Sequence, residues 1–506
     1  MKNSIKEKNK KIKIVWTGFF WRIFFLILAV FLFYFFRIGW KVFNLEKLIH
    51  QEISSEENNN QKESTLIQAA KNIFKPDQKI IRGYERGRIN ILLLGMGGEG
   101  HSGKNLTDTI MLLSVNPQTH QTAFLSIPRD LLVYMKKEKI TTKINAVYAY
   151  GIQNQKKTPA ESLLPLKEII SDITGQEIDY YLALDFEGFE KIIADIGGVD
   201  VEVTDDIYDD RYPGPNFSYE TFKLSKGFQH LDSQTALKYC RVRHISGGDF
   251  GRAARQQQVI ASVKNKIFST KTLLDIPKVE KIINDLGEHL KTDLKFEEIP
   301  AFISLAESAN VYQASNKVLD AWSNDSLLAS THVSLGGVMA YALIPRSKNY
   351  SQIRELSKNI FDLKVIERKK EEIAKESSFV AILSPPFKNI SRIDAVFDHW
   401  GYSKSKTATD KELYQLCTEK TFLMALSEKS QLFTLSDLAD KIQAELLTDE
   451  KTRIAFREKF PNADLVVCLS ENDADYFQSS LENESAESEE LKNQSIIDQN
   501  GKVLFN

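Results

Sequence analysis

One apolar segment near the N-terminus limits the folds open to this chain more than any other feature. The run Ile23–Phe36 is continuously apolar, and counting back to Val15 gives about the 20 residues that a membrane span requires. Residues 1–14 carry six lysines against one acidic residue, Glu7, which by the positive-inside rule places the N-terminus in the cytoplasm. We therefore predict one transmembrane helix over residues 15–40, a single-pass location in the cell membrane, and the bulk of the chain outside the cytoplasm.

A cleaved signal peptide is the alternative interpretation of this segment, but no small-residue cleavage site follows it. Export would allow disulfides to form. The chain has three cysteines, Cys240, Cys417 and Cys468, which are too few for a disulfide framework and show no metal-ligand spacing. The sequence distinguishes no pair from the others, so we predict no disulfide.

From about Arg82 onward, short apolar runs alternate with helical patterns. Strands are predicted at "RINILLLG" (88–95), "TIMLLSVNP" (109–117), "TAFLSIPRD" (122–130), "YYLALDF" (180–186), "GGVDVEV" (197–203) and "MAYALIP" (339–345). A helix is predicted over residues 165–175 and ends at Gly175. Strands that alternate with helices indicate a layered α/β fold.

Shifts in composition divide the chain into units. We predict, in chain order, a basic cytoplasmic tail (1–14), the transmembrane helix (15–40), a polar juxtamembrane linker (41–81), a main α/β domain (82–362), a charged linker helix (363–378), a small second α/β domain with strands at "FVAIL" and "ADLVVCL" (379–477), and a disordered acidic tail (478–506). Only the two α/β domains have enough apolar periodicity to form a core.

Four arginines are crowded into "LKYCRVRHISGGDFGRAARQQQ", residues 237–258, although the net charge of the chain is -2. That balance excludes a globally basic nucleic-acid binder and allows a local basic pocket. Arg241 and Arg243 face one way in extended backbone. Arg252 and Gln256, four residues apart, share one face in the first turn of the following predicted helix. Helix N-termini favour anions and arginines strengthen that preference, so we predict a site for a multiply charged anion such as a pyrophosphate.

Asp249 and Arg255 lie in the same stretch and are further candidates for this site. Asp249 carries a carboxylate that could accept a proton during a reaction. A solvated basic face is the alternative interpretation of the whole stretch.

More candidate residues stand where predicted strands begin or end. Asp108 directly precedes a buried strand and follows a glycine-rich loop, where a carboxylate can hold Mg²⁺ together with waters and substrate phosphates. Arg129 and Asp130 end another strand, at the edge where ligand sites of α/β sheets gather. Lys143 precedes an aromatic helix. The alternatives are a turn cap for Asp108 and a purely structural ion pair between Arg129 and Asp130.

In order and spacing, these motifs resemble the LytR-CpsA-Psr family of cell-wall ligases over residues 84–270. The resemblance implies a three-layer α/β/α domain with an apolar pocket for a lipid tail. It also implies a phosphotransferase, with Mg²⁺ or Mn²⁺ as cofactor, that moves a glycopolymer from a polyprenyl pyrophosphate carrier onto peptidoglycan and has a pyrophosphatase side activity. Residues 379–477 are similar to the small C-terminal LytR-type domain of many members.

The resemblance also implies roles for the candidate residues. The residues matching the family's catalytic and pyrophosphate-binding positions are Asp108, Arg129, Arg241, Arg243, Arg252 and Gln256, with Asp108 as the metal ligand. Asp130, Lys143, Asp249 and Arg255 are additional candidates. A peptidoglycan sugar hydroxyl would attack the phosphorus next to the polymer, and either Asp108 or Asp249 would accept its proton.

The chain departs from the family pattern at two positions. Most members have a second Asp where this chain has Gly97, and an Arg where it has Leu106. Glu99 or His101 could fill the gap left at the metal site. If neither does, the metal is held by Asp108 and the substrate phosphates.

Two other functions compete with the transferase. A non-enzymatic binder of lipid-linked or wall polymer would explain the missing acidic residue at Gly97. A transcriptional attenuator is disfavoured, because the predicted topology puts the arginines on the side of the membrane away from DNA. We therefore expect peptidoglycan, a lipid-linked glycopolymer and the membrane as partners, and no nucleic acid.

Overall fold

The computed structural model describes residues 78–478 apart from gaps at 102, 155–156, 215–217, 243–247, 270–286, 288, 387–388, 418–419 and 430. The predicted cytoplasmic tail and transmembrane helix, most of the predicted linker and nearly all of the acidic tail lie outside the described residues. Within those described ranges, no helix is both long enough and apolar enough to cross a membrane.

Strands and helices alternate along most of the described chain. The strands are β1 (Ile89–Met96), β2 (Thr107–Val115), β3 (Gln121–Ser126), β4 (Leu132–Met135), β5 (Ile140–Lys143), β6 (Tyr180–Asp185), β7 (Val199–Val203), β8 (Ile207–Pro213), β9 (Tyr219–Leu224), β10 (Gly227–Leu231), β11 (Leu290–Thr292), β12 (Asn310–Val318), β13 (Leu328–Leu335), β14 (Val338–Pro345), β15 (Val380–Leu383), β16 (Lys406–Ala408), β17 (Phe422–Ala425), β18 (Glu445–Leu446) and β19 (Leu465–Cys468). The helices are α1 (Ala146–Asn154), α2 (Pro159–Thr174), α3 (Phe186–Asp195), α4 (Ser233–Arg241), α5 (Gly248–Ser269), α6 (Ile299–Ser308), α7 (Ser351–Lys358), α8 (Lys364–Glu376), α9 (Ile390–His399), α10 (Lys411–Tyr414), α11 (Leu432–Ile442) and α12 (Glu450–Lys459).

The main unit is built on a mixed six-stranded sheet with the strand order β11-β6-β1-β2-β3-β12. Strand β1 runs parallel to β6 and antiparallel to β2, while β3 runs antiparallel to β2 and parallel to β12. The strands β1, β3, β6 and β12 therefore end at one edge of the sheet, where β2 and β11 begin. We call this edge the carboxyl edge.

Helices cover both faces of this sheet. In β1, the side chains of Leu92 and Leu94 pack in one core cluster with residues of α1, α2 and α7. Ile89 and Ile91, with the opposite parity, pack against α6. This alternation follows from the period of two along a strand. The expected α/β fold is confirmed, with strands at all six predicted positions of the main unit.

The arginine-rich stretch folds differently from the sequence prediction. Helix α4 continues through Arg241, so the expected extended backbone at that residue is wrong. The carboxylate of Asp232 caps the first turn of α4, and Ala236 and Cys240 face the core along one helical stripe. Helix α5 begins at Gly248, earlier than predicted, which puts Arg252 beyond its first turn.

A second unit follows the charged helix α8. Its sheet has the order β16-β15-β19-β17-β18, and the two predicted strands appear as β15 and β19, which pair in parallel. A chain of charges joins the units: the half-buried Lys369 of α8 bonds both Glu355 of α7 and Asp437 of α11. Asp437 in turn pairs with Lys441 at 2.5 Å. Because Asp437 and Lys441 are buried, removing either one would leave the other as a buried charge without this partner.

The prediction that the chain has no disulfide is wrong. Cys417 and Cys468 are bonded in the second unit, with their Cα atoms 5.9 Å apart, and Cys240 is free and buried. The two bonded residues are 51 positions apart in sequence. They are brought together only when β19 pairs with its neighbours, a contact that cysteine spacing does not reveal.

We expect Cys417→Ser to destabilise the second unit, because opening this loop releases conformational entropy in the unfolded chain. The free energy of unfolding should fall by about 2–4 kcal/mol, as measured by denaturant melting. Reductant should lower the stability of the parent protein by a similar amount and leave Cys417→Ser unchanged. Rapid alkylation of all three cysteines in the native parent would contradict the assignment.

Candidate active site

The sequence-predicted residues converge at the carboxyl edge of the main sheet. The loop between β1 and β2 turns over this edge with positive φ at Gly98, Gly100 and Gly103. Gly98 lies so close to the start of α3 that a Cβ there would stand 2.8 Å from the Cβ of Asp185. A side chain at Gly98 would therefore push the loop away from the sheet.

Asp108 occupies a β-bulge. The register between β1 and β2 passes from Gly95 opposite Thr109 to Met96 opposite Thr107, so Asp108 is the extra residue. A bulge re-aims the side chain that it carries. The carboxylate oxygen Oδ1 of Asp108 accepts hydrogen bonds from Arg129 Nη1 at 3.0 Å and from Asn145 Nδ2 at 3.2 Å.

Alternating charges extend from Asp108 across the edge. Arg129 also approaches Asp130, with 3.4 Å between Nε and Oδ2. The other oxygen of Asp130 accepts from Lys143 Nζ at 2.6 Å. We call these four residues the charged row, and each of their side chains is between 23% and 36% exposed. The row joins the start of β2, the end of β3 and the end of β5, and it is open to solvent on one side.

Arg241 ends helix α4, and its guanidinium lies over two aromatic rings. Its guanidinium carbon is 4.3 Å from the centre of the Phe186 ring and 5.7 Å from that of Tyr212, a cation–π arrangement. In the part of the chain that the structure describes, no carboxylate forms an ion pair with this arginine. The guanidinium of Arg241 is therefore a candidate contact for an anionic ligand.

Gln256 connects the two groups of cations. Its Nε2 donates to Thr109 Oγ1 at 3.2 Å and lies 3.4 Å from the carbonyl oxygen of Cys240. Thr109 follows Asp108 in β2, and Cys240 precedes Arg241 in α4. The amide of Gln256 therefore links strand β2 to helix α4. Arg252 is one turn earlier on the same helix, partly buried.

Arg255 is placed differently from the other candidates. It is 7% exposed, and its guanidinium donates to the carbonyl oxygens of Tyr239 at 2.9 Å and Val242 at 2.5 Å. Burial lowers the pKa of this guanidinium. Arg255 therefore fixes the end of α4 against α5. Arg243 lies outside the described residues, and the side chain of Asp249 is not described.

The loop residues considered as metal ligands point elsewhere. Glu99 is 84% exposed and its carboxylate pairs with Lys104 Nζ at 2.7 Å. His101 packs edge-on against Phe186, with 5.2 Å between ring centres. Among the described residues, no group of three or more His, Cys, Asp or Glu side chains could hold a metal ion. Asp108 is therefore the one carboxylate of the predicted metal site whose position among the described residues is still compatible with that prediction.

Sequence reasoning missed a histidine at this edge. His289 Nδ1 lies 2.9 Å from Asp185 Oδ2, and Lys191 Nζ lies 2.8 Å from His289 Nε2. An ammonium only donates, so Nε2 accepts and the proton is on Nδ1, facing Asp185. Asp185 also caps α3 through Gly188 N at 2.8 Å. The strand-ending Asp185 could have been found from its cap position, whereas His289 is brought in from 104 residues away.

Comparison with known proteins places the chain in a family. The model of the LytR_cpsA_psr family matches residues 48–333, more than half of the chain. The chain belongs to the LytR-CpsA-Psr family. The predicted resemblance is thereby confirmed, and the match covers the whole carboxyl edge from the glycine loop to β12.

Several members of this family are similar to the chain. Bacillus subtilis polyisoprenyl-teichoic acid–peptidoglycan teichoic acid transferase TagV is 28% identical over 271 residues, which are 53% of this chain and 63% of TagV. TagU of Oceanobacillus iheyensis, a transferase of the same name, is 32% identical over 222 residues, 44% of this chain and 63% of TagU. The chain thus spans less than two thirds of the length of these relatives.

Solved structures are similar as well. The crystal structure of B. subtilis TagV aligns with a TM-score of 0.40 and 25% identity, covering 54% of this chain and 97% of that one. A structure described as TagT bound to LI-WTA aligns with a TM-score of 0.38 and 20% identity, covering 55% of this chain and 90% of that one.

Two arginine substitutions should separate binding from folding. Arg255→Met leaves two carbonyl oxygens without their donor, so the free energy of unfolding should fall by about 1–3 kcal/mol for each. Arg241→Ala should leave thermal unfolding nearly unchanged and weaken binding of a polyprenyl pyrophosphate analogue about tenfold or more. Denaturant melting and titration calorimetry measure the two effects. An Arg241→Ala protein with unchanged affinity would remove this residue from the site.

Proposed function

We propose that this protein is a membrane-anchored phosphotransferase that moves a glycopolymer from a polyprenyl pyrophosphate carrier onto peptidoglycan. Family membership supports the proposal, and so do the relatives named as polyisoprenyl-teichoic acid–peptidoglycan teichoic acid transferases. The predicted transmembrane helix would hold the site near the outer leaflet, where a lipid-linked carrier resides.

One observation carries the proposal: the Gln256 amide contacts both Thr109, which follows Asp108, and Cys240, which precedes Arg241. The guanidinium of Arg241 lies over the Phe186 ring, and the carboxylate of Asp108 is held by Arg129. A pyrophosphate needs cations over both phosphates, and the transferred group needs a base beside it. The arginines and the carboxylate near this edge support the proposal on both counts.

The reaction would proceed by attack of a peptidoglycan hydroxyl oxygen on the phosphorus next to the polymer. The new P–O bond forms as the bond to the bridging oxygen breaks, and polyprenyl phosphate leaves. Arg129 and Arg241 would offset the charge that develops on the pyrophosphate. Asp108 or Asp249 would accept the hydroxyl proton.

A divalent cation fits this edge only in part. Asp108 offers one carboxylate, and Mg²⁺ is commonly held by one or two carboxylates together with substrate phosphates and waters. Bound in this way, Mg²⁺ or Mn²⁺ would neutralise phosphate charge. Glu99 would have to leave Lys104 in order to join the site.

A non-catalytic binder of lipid-linked polymer is the second candidate. Gly97 stands where a second carboxylate is expected, and Glu99 is engaged with Lys104. Such a protein would retain the anion site and lack turnover. Incubating the full chain with a synthetic polyprenyl-pyrophosphate sugar, peptidoglycan fragments and Mg²⁺ distinguishes the two functions, because mass spectrometry would detect the transferred product only for an enzyme.

We expect Asp108→Asn to lower transfer in this assay by about 100-fold or more, the range for loss of a proton acceptor. Folding should survive, because the side chain is 36% exposed. Asp210→Asn is the matched control: its carboxylate is 64% exposed and pairs only loosely with Arg211 at 3.8 Å, so activity should be retained. A large fall in melting temperature for Asp108→Asn would make that residue structural.

Metal and substrate should bind with positive coupling. Without an anion, the arginines raise the local positive potential and oppose a cation, and a single carboxylate holds Mg²⁺ weakly. A pyrophosphate analogue should therefore strengthen Mn²⁺ binding by about 1–3 kcal/mol, as measured by titration of a Mn²⁺ spectroscopic signal. Glu99→Gln should leave the titration unchanged. Tight Mn²⁺ binding to the ligand-free protein that is lost in Glu99→Gln would contradict this expectation.

A further inference from the structure

The hairpin formed by β13 and β14 is unusual in composition. Residues 326–345 contain no Asp, Glu, Lys or Arg, in a chain whose residues are 26% charged. The two strands pair antiparallel from Leu328 with Pro345 to Leu335 with Val338. Gly336 and Gly337 form the turn, both with positive φ, as two-residue hairpins require.

Burial falls steadily from the base of this hairpin to its tip. Leu328 and Leu343 near the base are 0% and 2% exposed and belong to the main core. At the tip, Val338 is 68% exposed and Met339 is 64% exposed. The apolar side chains at the tip therefore project from the main unit.

The base of the β13–β14 hairpin is hydrogen-bonded to the segment that carries the charged row of the candidate site. Leu343 N donates to the carbonyl oxygen of Asp130, a member of the charged row, at 2.9 Å. From the second unit, His399 Nε2 lies 3.0 Å from the carbonyl oxygen of Ser326, and the hydroxyl of Tyr476 donates to that of Pro345. Contacts from two units thus fix the direction in which the tip points.

A two-stranded ribbon in water normally protects its edges with charged residues or proline, and an uncharged exposed ribbon invites aggregation. The described tip lacks such protection, which suits an apolar surrounding. A polysaccharide would call for several hydrogen-bonding side chains. Residues 333–340 contain one, that of Ser334, whereas Val333, Leu335, Val338 and Met339 are apolar. A lipid surface needs no counter-charge and matches a tip of this composition.

Two aromatic rings lie directly between the tip and the base of the hairpin. His332 and Tyr341 are cross-strand partners whose rings meet edge-on, with 5.9 Å between centres. Rings with one polar end are favoured at the headgroup level of a bilayer. The sequence of the hairpin therefore passes from a packed base, through an aromatic pair, to an apolar tip, as expected for an element that enters a membrane to a shallow depth.

We propose that the tip of this hairpin, residues 333–340, inserts into the boundary between headgroups and acyl chains of the lipid bilayer. At that depth the backbone groups of the Gly336–Gly337 turn still meet water and headgroups, so no unpaired edge enters hydrocarbon. The insertion orients the carboxyl edge toward a lipid-linked substrate, and in this respect it rests on the proposed function.

The test labels the tip in the full chain, reconstituted into vesicles of phosphatidylethanolamine and phosphatidylglycerol. Met339→Cys carries an environment-sensitive fluorophore, because Cys240 is buried and the other cysteines are bonded. Leu432→Cys, at a position 72% exposed on the second unit, is the control. The label at residue 339 should emit at shorter wavelength and be quenched by spin labels on the acyl chains, whereas the label at residue 432 should do neither.

Equal emission and equal quenching at the two positions would overturn the proposal. A shift to shorter wavelength that depends on protein concentration and not on lipid spin labels would also overturn it, since it would indicate pairing between two copies of the hairpin. Because the signal requires no turnover, failure of the proposed enzymatic function would leave it unchanged. Conversely, adding Val338→Asp to the labelled Met339→Cys protein should reduce quenching even if the protein is only a binder, because Val338 is exposed at the same tip.

Discussion

The ion pair between Arg129 and Asp108 is the contact on which the arrangement of this site depends. It joins the end of β3 to the beginning of β2, at the bulge that carries Asp108. Asn145 holds the same carboxylate oxygen from the N-terminus of α1. The position of the Asp108 carboxylate is therefore set by three segments of the chain: the start of β2, the end of β3 and the N-terminus of α1.

The opposite side of the site depends on helix α5. Arg255 fastens this helix to the end of α4, and Gln256 fastens it to β2. Arg255 and Gln256 are adjacent in this helix but contact different elements, because their side chains leave the helix in directions about 100° apart. Arg255 holds the backbone on both sides of Arg241 through the carbonyl oxygens of Tyr239 and Val242. Gln256 links the residue before Arg241 to the residue after Asp108.

The sequence predicts the central sheet well, because β1, β2 and β3 are apolar runs bounded by Gly, Asn-Pro and Pro signals. It also places Asp108 and Arg129 at strand ends, where topology brings them together. Two arginines that stand two positions apart predict extended backbone at Arg241, whereas the buried helical stripe of Ala236 and Cys240 favours the helix that is observed. Local spacing of charges is a weaker signal than periodic burial.

Long-range contacts explain what the sequence could not supply. His289 reaches Asp185 only after a long connection returns the chain to the sheet as β11. Cys417 and Cys468 likewise meet through the pairing of strands. Neither hydrophobic periodicity nor a local motif predicts such contacts, because they depend on the order of the strands in the sheet.

The charged row has a further consequence for the entropy of ligand binding. Lys143 and Arg129 are long side chains, and each is already held by a carboxylate within the folded protein. Fixing such a side chain costs about 0.5–1.5 kcal/mol when it happens during association. Here that cost is met during folding, so a phosphate binding at this row would replace a carboxylate partner and would not have to order a free side chain. Under the proposed function, the two acids would hold the cations in place while no anion is bound.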